Sequence, residues 1–187
     1  MRVTVRDSSE LIIRPVTAAD RKLLLSGFAR FSERSRHQRF FGVKVALTEA
    51  ELAFFTEVDH HEHEALGAVD PVSGAGVGIA RFIRLRPGGP VAEAAVSVVD
   101  DWQRRGVGRA LLSALVDRAH EEGVERFQAT LLRTNRGMLE AFRRIGAVEV
   151  TRRELDEMEI CVELPVSEVG RVVVGADDPV AAQHDQL

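Results

Sequence analysis

An apolar run, a short glycine-containing loop and a helical pattern follow one another in this chain and constrain its fold more than any other stretch. The run Val91–Val99 has the composition of a strand, and residues 109–122 place apolar side chains at helical spacing. Between them lies Gln103-Arg104-Arg105-Gly106-Val107-Gly108. A strand that enters a helix in this way indicates a strand–helix–strand crossover, whose two strands are usually parallel.

The two glycines at the start of the helix predict an anion-binding loop. Gly106 and Gly108 let the backbone approach a ligand closely, and the free N–H groups and the helix dipole favour a phosphate there. The loop is not a P-loop, because Arg109-Ala110 stands where lysine and serine or threonine are needed. It is not a dinucleotide fingerprint, because Leu111 occupies the place of the third glycine.

The order of elements along the chain predicts an α+β fold. A strand at 11–15 precedes helices that begin at two capping boxes, Thr17 with Asp20 and Thr48 with Glu51. Three strands, a long helix, a strand, a second helix and closing strands follow. Meander strands are usually antiparallel, whereas the crossover strands are parallel. We therefore expect a mixed, mostly antiparallel central sheet flanked by helices.

A single domain is expected, because 187 residues can form one well-buried core and are few for two. Its expected bounds are 11–164, after an N-terminal extension at 1–10. The segment 165–187 is expected to add a short strand at 171–174 and then a loose polar tail.

Charge and composition restrict the function and the location. A net charge of -4 disfavours general nucleic-acid binding, which needs a positive field. The one cysteine, Cys161, cannot form an internal disulfide, which favours a reducing compartment. No signal-peptide pattern and no apolar run of roughly 20 residues is present, so neither export nor a membrane span is expected. The expected location is the cytoplasm.

The loop and its surroundings resemble the GNAT acetyltransferase superfamily. The family's acetyl-CoA loop reads glutamine or arginine, two spacers, glycine, any residue, then glycine or alanine, as in Gln103–Gly108. Val98–Gln103 resembles the splayed strand that leads into this loop, and Asn135 stands before Phe142 as in the family's second cofactor helix. The resemblance covers about residues 11–164 and implies a GNAT fold.

A finer likeness is to the acetyltransferase domain of bacterial protein lysine acetyltransferases. It rests on Arg39-Phe40-Phe41, on residues 58–66 and on Asn135 with Met138-Leu139. The resemblance implies direct acetyl transfer from acetyl-CoA, with a protein lysine as the preferred acceptor and no metal.

The resemblance also implies which residues bind the cosubstrate. The pyrophosphate rests on N–H groups from about Gln103 to Arg109, and a backbone N–H near Val98 or Val99 faces the thioester carbonyl. Arg104, Arg105 or Arg109 adds positive charge. The implied binding residues are Val98, Val99, Gln103, Arg104, Arg105, Gly106, Val107, Gly108, Arg109 and Asn135.

Glu93 is the candidate general base. It lies in an otherwise apolar strand, and alternation puts it on one face with Ala95, Ser97 and Val99. If it is partly buried, its pKa is raised toward the value that proton abstraction from a lysine ammonium requires. The resemblance agrees, because a glutamate on this strand is the proposed base in the lysine acetyltransferase subgroup. An exposed edge glutamate or a buried ion-pair partner is the alternative.

No general acid is assigned. Many family members place a tyrosine on the second cofactor helix, but the chain has Phe142 there and contains no tyrosine. A thiol with a pKa near 8.5 is a tolerable leaving group without an acid. Ser97 is a weak candidate for this role.

Three polar stretches admit both a functional and a structural interpretation. The histidines at 60, 61 and 63 are expected to line a substrate entrance or to be solvated, and not to bind a metal. Arg34, Arg36 and Arg39 are expected on an exposed helical face with salt bridges, and binding of nucleic acid or of the cofactor's 3′-phosphate is the alternative. An acidic tract either steers a cationic substrate or is solvated, and comprises Glu49, Glu51, Glu57, Asp59, Glu62 and Glu64.

Two rival functions remain open on the sequence. One is acetylation of a small amine such as a polyamine, an amino acid or an aminoglycoside. The other is a non-catalytic module that senses acyl-CoA or docks a partner. The sequence also leaves a homodimer open.

Overall fold

The sheet of this protein consists of antiparallel strand pairs and one parallel pair, which a crossover helix connects. A computed structural model describes residues 1–165, and the strand predicted at 171–174 lies outside them. The elements in chain order are β1 (Arg2–Thr4), β2 (Glu10–Pro15), α1 (Arg21–Ala29), α2 (Glu33–Phe40), α3 (Glu49–Thr56), β3 (His63–Val69), β4 (Gly76–Arg84), β5 (Val91–Val98), α4 (Val107–Glu121), β6 (Arg126–Leu132), α5 (Arg136–Arg143), β7 (Ala147–Arg153) and β8 (Glu157–Glu163).

The eight strands lie in the order β1-β2-β3-β4-β5-β6-β8-β7. Every neighbouring pair is antiparallel except β5 and β6, which α4 connects as a crossover. The predicted mixed, mostly antiparallel sheet is therefore confirmed. Residues 2–4, expected to precede the domain, form an edge strand in which Val3 pairs with Leu11.

Both predicted capping boxes are present and fix where helices begin. The N–H of Thr17 donates to Asp20 Oδ2 at 2.9 Å, and a 3-10 turn at Ala18–Asp20 leads into α1. The N–H of Thr48 donates to Glu51 Oε2 at 2.8 Å, while the N–H of Glu51 donates to Thr48 Oγ1 at 3.2 Å. These bonds satisfy N–H groups that the first helical turn leaves free.

The two faces of the sheet are covered differently. Alternation along β5 buries Ala92, Ala94 and Val96 in the main core, which Leu111 and Leu115 of α4 complete. Helices α1, α2 and α3 cover the other face and leave a cavity beneath them. No helix among residues 1–165 is long and apolar enough to cross a membrane. The candidate base Glu93 lies on the face of β5 that is turned away from the main core.

Candidate active site

Strands β5 and β6 pair over only three residues and then part. Their register joins Val91 to Arg126 and ends where Glu93 faces Gln128. Beyond this point a cleft opens between them, lined by Val96 and Val98 of β5, Thr130 and Leu131 of β6, Asn135, Met138 and Phe142 at α5, and Ser35 and Arg39 of α2. We call this opening the cleft. It lies at the carboxyl end of β5, directly before the glycine loop.

Backbone hydrogen bonding on β5 identifies which N–H group faces the cleft. The N–H of Val99 donates to the carbonyl of Val77 at 3.0 Å and is therefore occupied by β4. Because Val98 pairs with Gly78 at the next register position, its N–H and carbonyl point away from β4 and into the cleft. The Val98 carbonyl accepts from Gln103 Nε2 at 3.0 Å. Of the two predicted oxyanion donors, the N–H of Val98 has no acceptor among residues 1–165, whereas that of Val99 is already bonded to Val77.

The loop at 103–108 presents a run of unpaired backbone N–H groups. Within residues 1–165, those of residues 104–109 have no hydrogen-bond acceptor, and the first to find one is Ala110, which donates to the Gly106 carbonyl at 3.0 Å. Gly106 has φ +99°, and a Cβ there would lie 3.1 Å from the N of Arg6. The loop is thus a cradle at the positive end of α4 that suits an anion.

The three arginines of the loop differ in what they contact. Arg104, at φ +58°, and Arg109 are exposed. The guanidinium of Arg105 binds Asp7, donates to Ser9 Oγ at 2.7 Å and stacks 3.9 Å from the Trp102 ring centroid. Arg105 therefore fastens the loop to the N-terminal segment, which leaves Arg104 and Arg109 as the side chains that can add charge to an anion.

Helix α2 is fastened to the residues that lead into the glycine loop. Asp100 accepts from the N–H of Ser32 at 2.9 Å and from Ser35 Oγ at 3.0 Å, and Ser32 is the N-cap of the helix, since its hydroxyl accepts from the N–H of Ser35. Gln103 Nε2 also donates to Ser35 Oγ at 3.0 Å, and Arg30 pairs with Asp101 at 2.7 Å. These bonds hold α2 over the cleft. The position of Arg39 is therefore coupled to the loop.

Asn135 and Phe142 lie where the sequence places them. Asn135 is the N-cap of α5 and lines the cleft. Phe142 is 1% exposed and belongs to the core while also lining the cleft. A phenyl ring cannot donate a proton, so the position at which many relatives carry a tyrosine supplies no acid.

Glu93 faces the same side of the sheet as Ala95 and Ser97, as strand alternation predicts, but its side chain is exposed. The condition of partial burial is not met, and the alternative of an exposed glutamate fits, because β6 pairs with β5 only up to this residue and no element within residues 1–165 covers the side chain. Glu93 lies in the field of Arg39, whose pKa is lowered because burial lowers it more than the Glu93 charge raises it. A solvated carboxylate at the edge of the cleft remains able to accept a proton.

A second cavity adjoins the cleft at Ala95 and Ser97. We call it the α1–α3 cavity. Phe28, Phe40 and Phe55 of those helices roof it, and β4 and β5 form its floor. Arg81 of β4 and Arg39 of α2 also line it. Arg81 is not among the residues predicted from the sequence, and Arg39, predicted on an exposed helical face, is half-buried.

Most side chains of the histidine segment and of the acidic tract form hydrogen bonds or ion pairs with other residues of the protein. His60 Nδ1 lies 2.7 Å from the fully buried Glu64, His61 pairs with Glu122 at 3.0 Å, and His63 contacts Arg81 at 3.2 Å. Among residues 1–165 no three His, Cys, Asp or Glu side chains form a group that can hold a metal. Four members of the acidic tract pair with basic residues, namely Glu49 with Arg21, Glu51 with Lys44, Glu62 with Arg84 and Glu64 with Arg118.

Comparison with known proteins agrees with this geometry. Residues 28–147 match the acetyltransferase (GNAT) family. The chain is 35% identical over 163 residues to Acetyltransferase Pat of Mycolicibacterium smegmatis, covering 87% of this chain and 48% of Pat. It is 28% identical over 144 residues to Acetyltransferase PA5475 of Pseudomonas aeruginosa, covering 76% of this chain and 77% of that protein.

A solved structure supports the same assignment. The crystal structure of the GNAT domain of S. lividans PAT superposes with a TM-score of 0.81 at 30% identity, over 88% of this chain and 96% of that domain. This fold, with its glycine loop beside a parted pair of strands, is the fold of that GNAT domain. The chain belongs to the acetyltransferase (GNAT) family, whose members use acetyl-CoA. It spans about half the length of Pat.

Proposed function

We propose that this protein transfers an acetyl group from acetyl-CoA directly to an amine, and that its preferred acceptor is a lysine side chain of a protein. The observation that carries the proposal is the continuity of donors from the loop into the cleft. Unpaired N–H groups at 104–109 suit a pyrophosphate, and the free N–H of Val98 stands farther along the same path. A CoA thioester fits both groups of donors, because its pyrophosphate can lie on the loop and its thioester carbonyl can face Val98.

The chain's own residues have separate parts in this reaction. Bound acetyl-CoA supplies a thioester carbonyl that an amine can attack. The loop N–H groups, with Arg104 and Arg109, neutralise the phosphates, and the N–H of Val98 stabilises negative charge on the carbonyl oxygen. Glu93, directly or through water, accepts a proton from the acceptor's ammonium, and the resulting neutral amine attacks the thioester carbonyl. The thiolate leaves without a protein acid, because position 142 is phenylalanine.

The choice of a protein lysine rests on similarity to Pat and to the PAT domain of S. lividans. Small amines are the main alternative. Polyamines and aminoglycosides fit poorly, because four carboxylates of the acidic tract are already paired and two arginines line the adjoining cavity. A non-catalytic acyl-CoA sensor would need the same loop but no base beside the cleft.

A thiol-release assay distinguishes these functions. Acetyl-CoA is supplied with lysine-containing proteins, lysine peptides, free amino acids, a polyamine and an aminoglycoside, and calorimetry measures acetyl-CoA binding in parallel. Acetylation of proteins or peptides at the highest kcat/KM is the expected result. Tight acetyl-CoA binding with no thiol release on any acceptor would contradict the enzymatic proposal and favour a sensor.

A further inference from the structure

Arg81 carries a buried positive charge that meets only neutral partners. Its side chain is 5% exposed on β4, directly across from Ala95. One guanidinium nitrogen lies 3.2 Å from His63 Nε2, another donates to the Phe55 carbonyl at 3.4 Å, and the group stacks 4.4 Å from the Phe55 ring centroid. Among residues 1–165, no carboxylate oxygen lies within 4 Å of it. Such burial of an unmatched charge is costly.

Arg39 brings a second guanidinium to the same cavity. It is half-buried and stacks 5.2 Å from the Phe40 ring centroid, and no carboxylate of the described chain reaches it within 4 Å. Arg14 provides the contrast, because it also lines the cavity but is matched by Asp20 at 2.5 Å. The α1–α3 cavity therefore holds two cations that have no matching anion among residues 1–165.

The charged groups around Arg81 keep this imbalance at neutral pH. Burial and the Arg39 charge lower the pKa of Arg81 to about 9, which still leaves it protonated. Burial and the Arg81 charge lower the pKa of His63 to about 4, so His63 is neutral and adds no charge. Glu93 is the carboxylate whose charge acts on Arg39. From the edge of the cleft it raises the pKa of Arg39 without forming an ion pair with it.

We propose that the α1–α3 cavity is a carboxylate subsite of the acceptor site, in which Arg81 and Arg39 bind a carboxylate that the acceptor carries close to its reactive amine. A guanidinium binds carboxylates with directional paired bonds, which suits this role. Ser97 and Ala95 line both the cavity and the cleft, and Ala95 lies directly across from Arg81, so the two spaces are continuous along this face of β5. The inference rests on the proposed acetylation of an amine.

Two sources supply this chemistry, namely an acidic side chain beside the target lysine and the α-carboxylate of a free amino acid. Two matched acceptor pairs separate them. One is a lysine peptide with glutamate next to the lysine, compared with the same peptide carrying glutamine. The other is free lysine compared with lysinamide. Thiol release gives kcat/KM for each, and calorimetry gives its affinity without depending on turnover.

The wild-type protein is compared with Arg81→Met, Arg39→Met and a control, Arg126→Met. Arg126 is on β6 of the same sheet, away from both cavities, and its loss removes the same charge. We expect the wild type and the control to favour the carboxylate member of at least one pair by about 10-fold or more. Arg81→Met is expected to reduce that preference to within about 2-fold.

The outcomes decide the inference separately from the proposed function. Preference in the peptide pair assigns the subsite to an acidic residue beside lysine, and preference in the lysine pair assigns it to an amino acid. Equal kcat/KM and equal affinity within both pairs, or a preference that survives in both arginine variants, would overturn it. Thiol release from none of the acceptors would contradict the proposed function, whereas the calorimetric comparison would still test the subsite. If Arg81→Met fails to fold, the half-buried Arg39 carries the test.

Discussion

Asn135 Oδ1 accepts a hydrogen bond from the N–H of Met138 at 3.2 Å. The bond caps α5 at the edge of the cleft, so one side chain both begins a helix and faces the cosubstrate path. The amide oxygen is used by the cap. The amide NH₂ is the part that can donate to a ligand.

Two substitutions separate these roles of Asn135. Asn135→Ala removes the cap and is expected to lower the free energy of unfolding by about 1 kcal/mol, whereas Asn135→Ser keeps a capping oxygen and loses little. Both remove the NH₂ group, so both are expected to weaken acetyl-CoA binding. Urea denaturation and calorimetry measure the two effects. Wild-type affinity in Asn135→Ser would limit Asn135 to capping.

Gly106 is expected to tolerate no side chain without loss of acetyl-CoA binding. A Cβ at φ +99° is strained and would press on the N of Arg6, which turns the loop N–H groups away from their present directions. Gly106→Ala is expected to cost about 1 to 2 kcal/mol of stability, and Gly106→Glu to abolish binding through its added negative charge.

The matched control for this glycine is Gly123→Ala. Gly123 also has positive φ, at +72°, but a Cβ there meets nothing within 4 Å, and the residue lies at the far end of α4. It is expected to lose a similar stability while binding acetyl-CoA as the wild type does. Retained affinity in Gly106→Glu, measured by calorimetry, would refute the assignment of the loop.

Glu93→Gln is expected to lower kcat by at least about 100-fold, the smaller end of what a positioned base contributes. The acid limb of the pH profile of kcat/KM is expected to disappear, because the group that must lose its proton is gone. Acetyl-CoA affinity should be unchanged. Glu149→Gln, at an exposed position of β7, controls for loss of one negative charge. An unchanged pH profile would remove Glu93 as the base.

His63 is expected to make the protein less stable as pH falls from about 6.5 toward 4. Burial and the Arg81 charge lower its folded-state pKa to about 4, below the unfolded value of about 6.5. In that window the unfolded chain binds a proton that the folded chain does not, so stability rises with pH. His63→Gln is expected to flatten this part of the pH dependence of urea unfolding. A slope equal to that of the wild type would contradict it.

Local patterns in the sequence predict most of the sheet and both capping boxes, because each depends on residues close in the chain. The strand β1 is not predicted, since Arg2–Thr4 contains one apolar residue and forms only by pairing with β2. Strand alternation likewise does not predict that the side chain of Glu93 is exposed. Alternation gives the face of a side chain, and the end of the β5–β6 pairing decides whether anything covers it.

The two cavity arginines show where charge patterns mislead. Arg39 lies in a basic run, a pattern typical of a solvated helix face, but α2 is held against the sheet by Asp100 and Gln103 through contacts about 65 to 68 residues apart. Arg81 did carry a signal, since it interrupts the apolar run at 77–85 between Ala80 and Phe82. A cation with apolar neighbours on both sides within a strand is a candidate ligand-binding group.

The parting of β5 and β6 divides the sheet into two antiparallel halves that share only three backbone pairs. Each half therefore presents an internal edge with backbone groups that lack a strand partner, such as the N–H of Val98. A cosubstrate lying in the cleft would act as a removable strand, joining the halves while it is bound. During turnover the two halves would be joined while the cosubstrate is bound and separate after it leaves. The free energy of unfolding would therefore increase with the concentration of the cosubstrate.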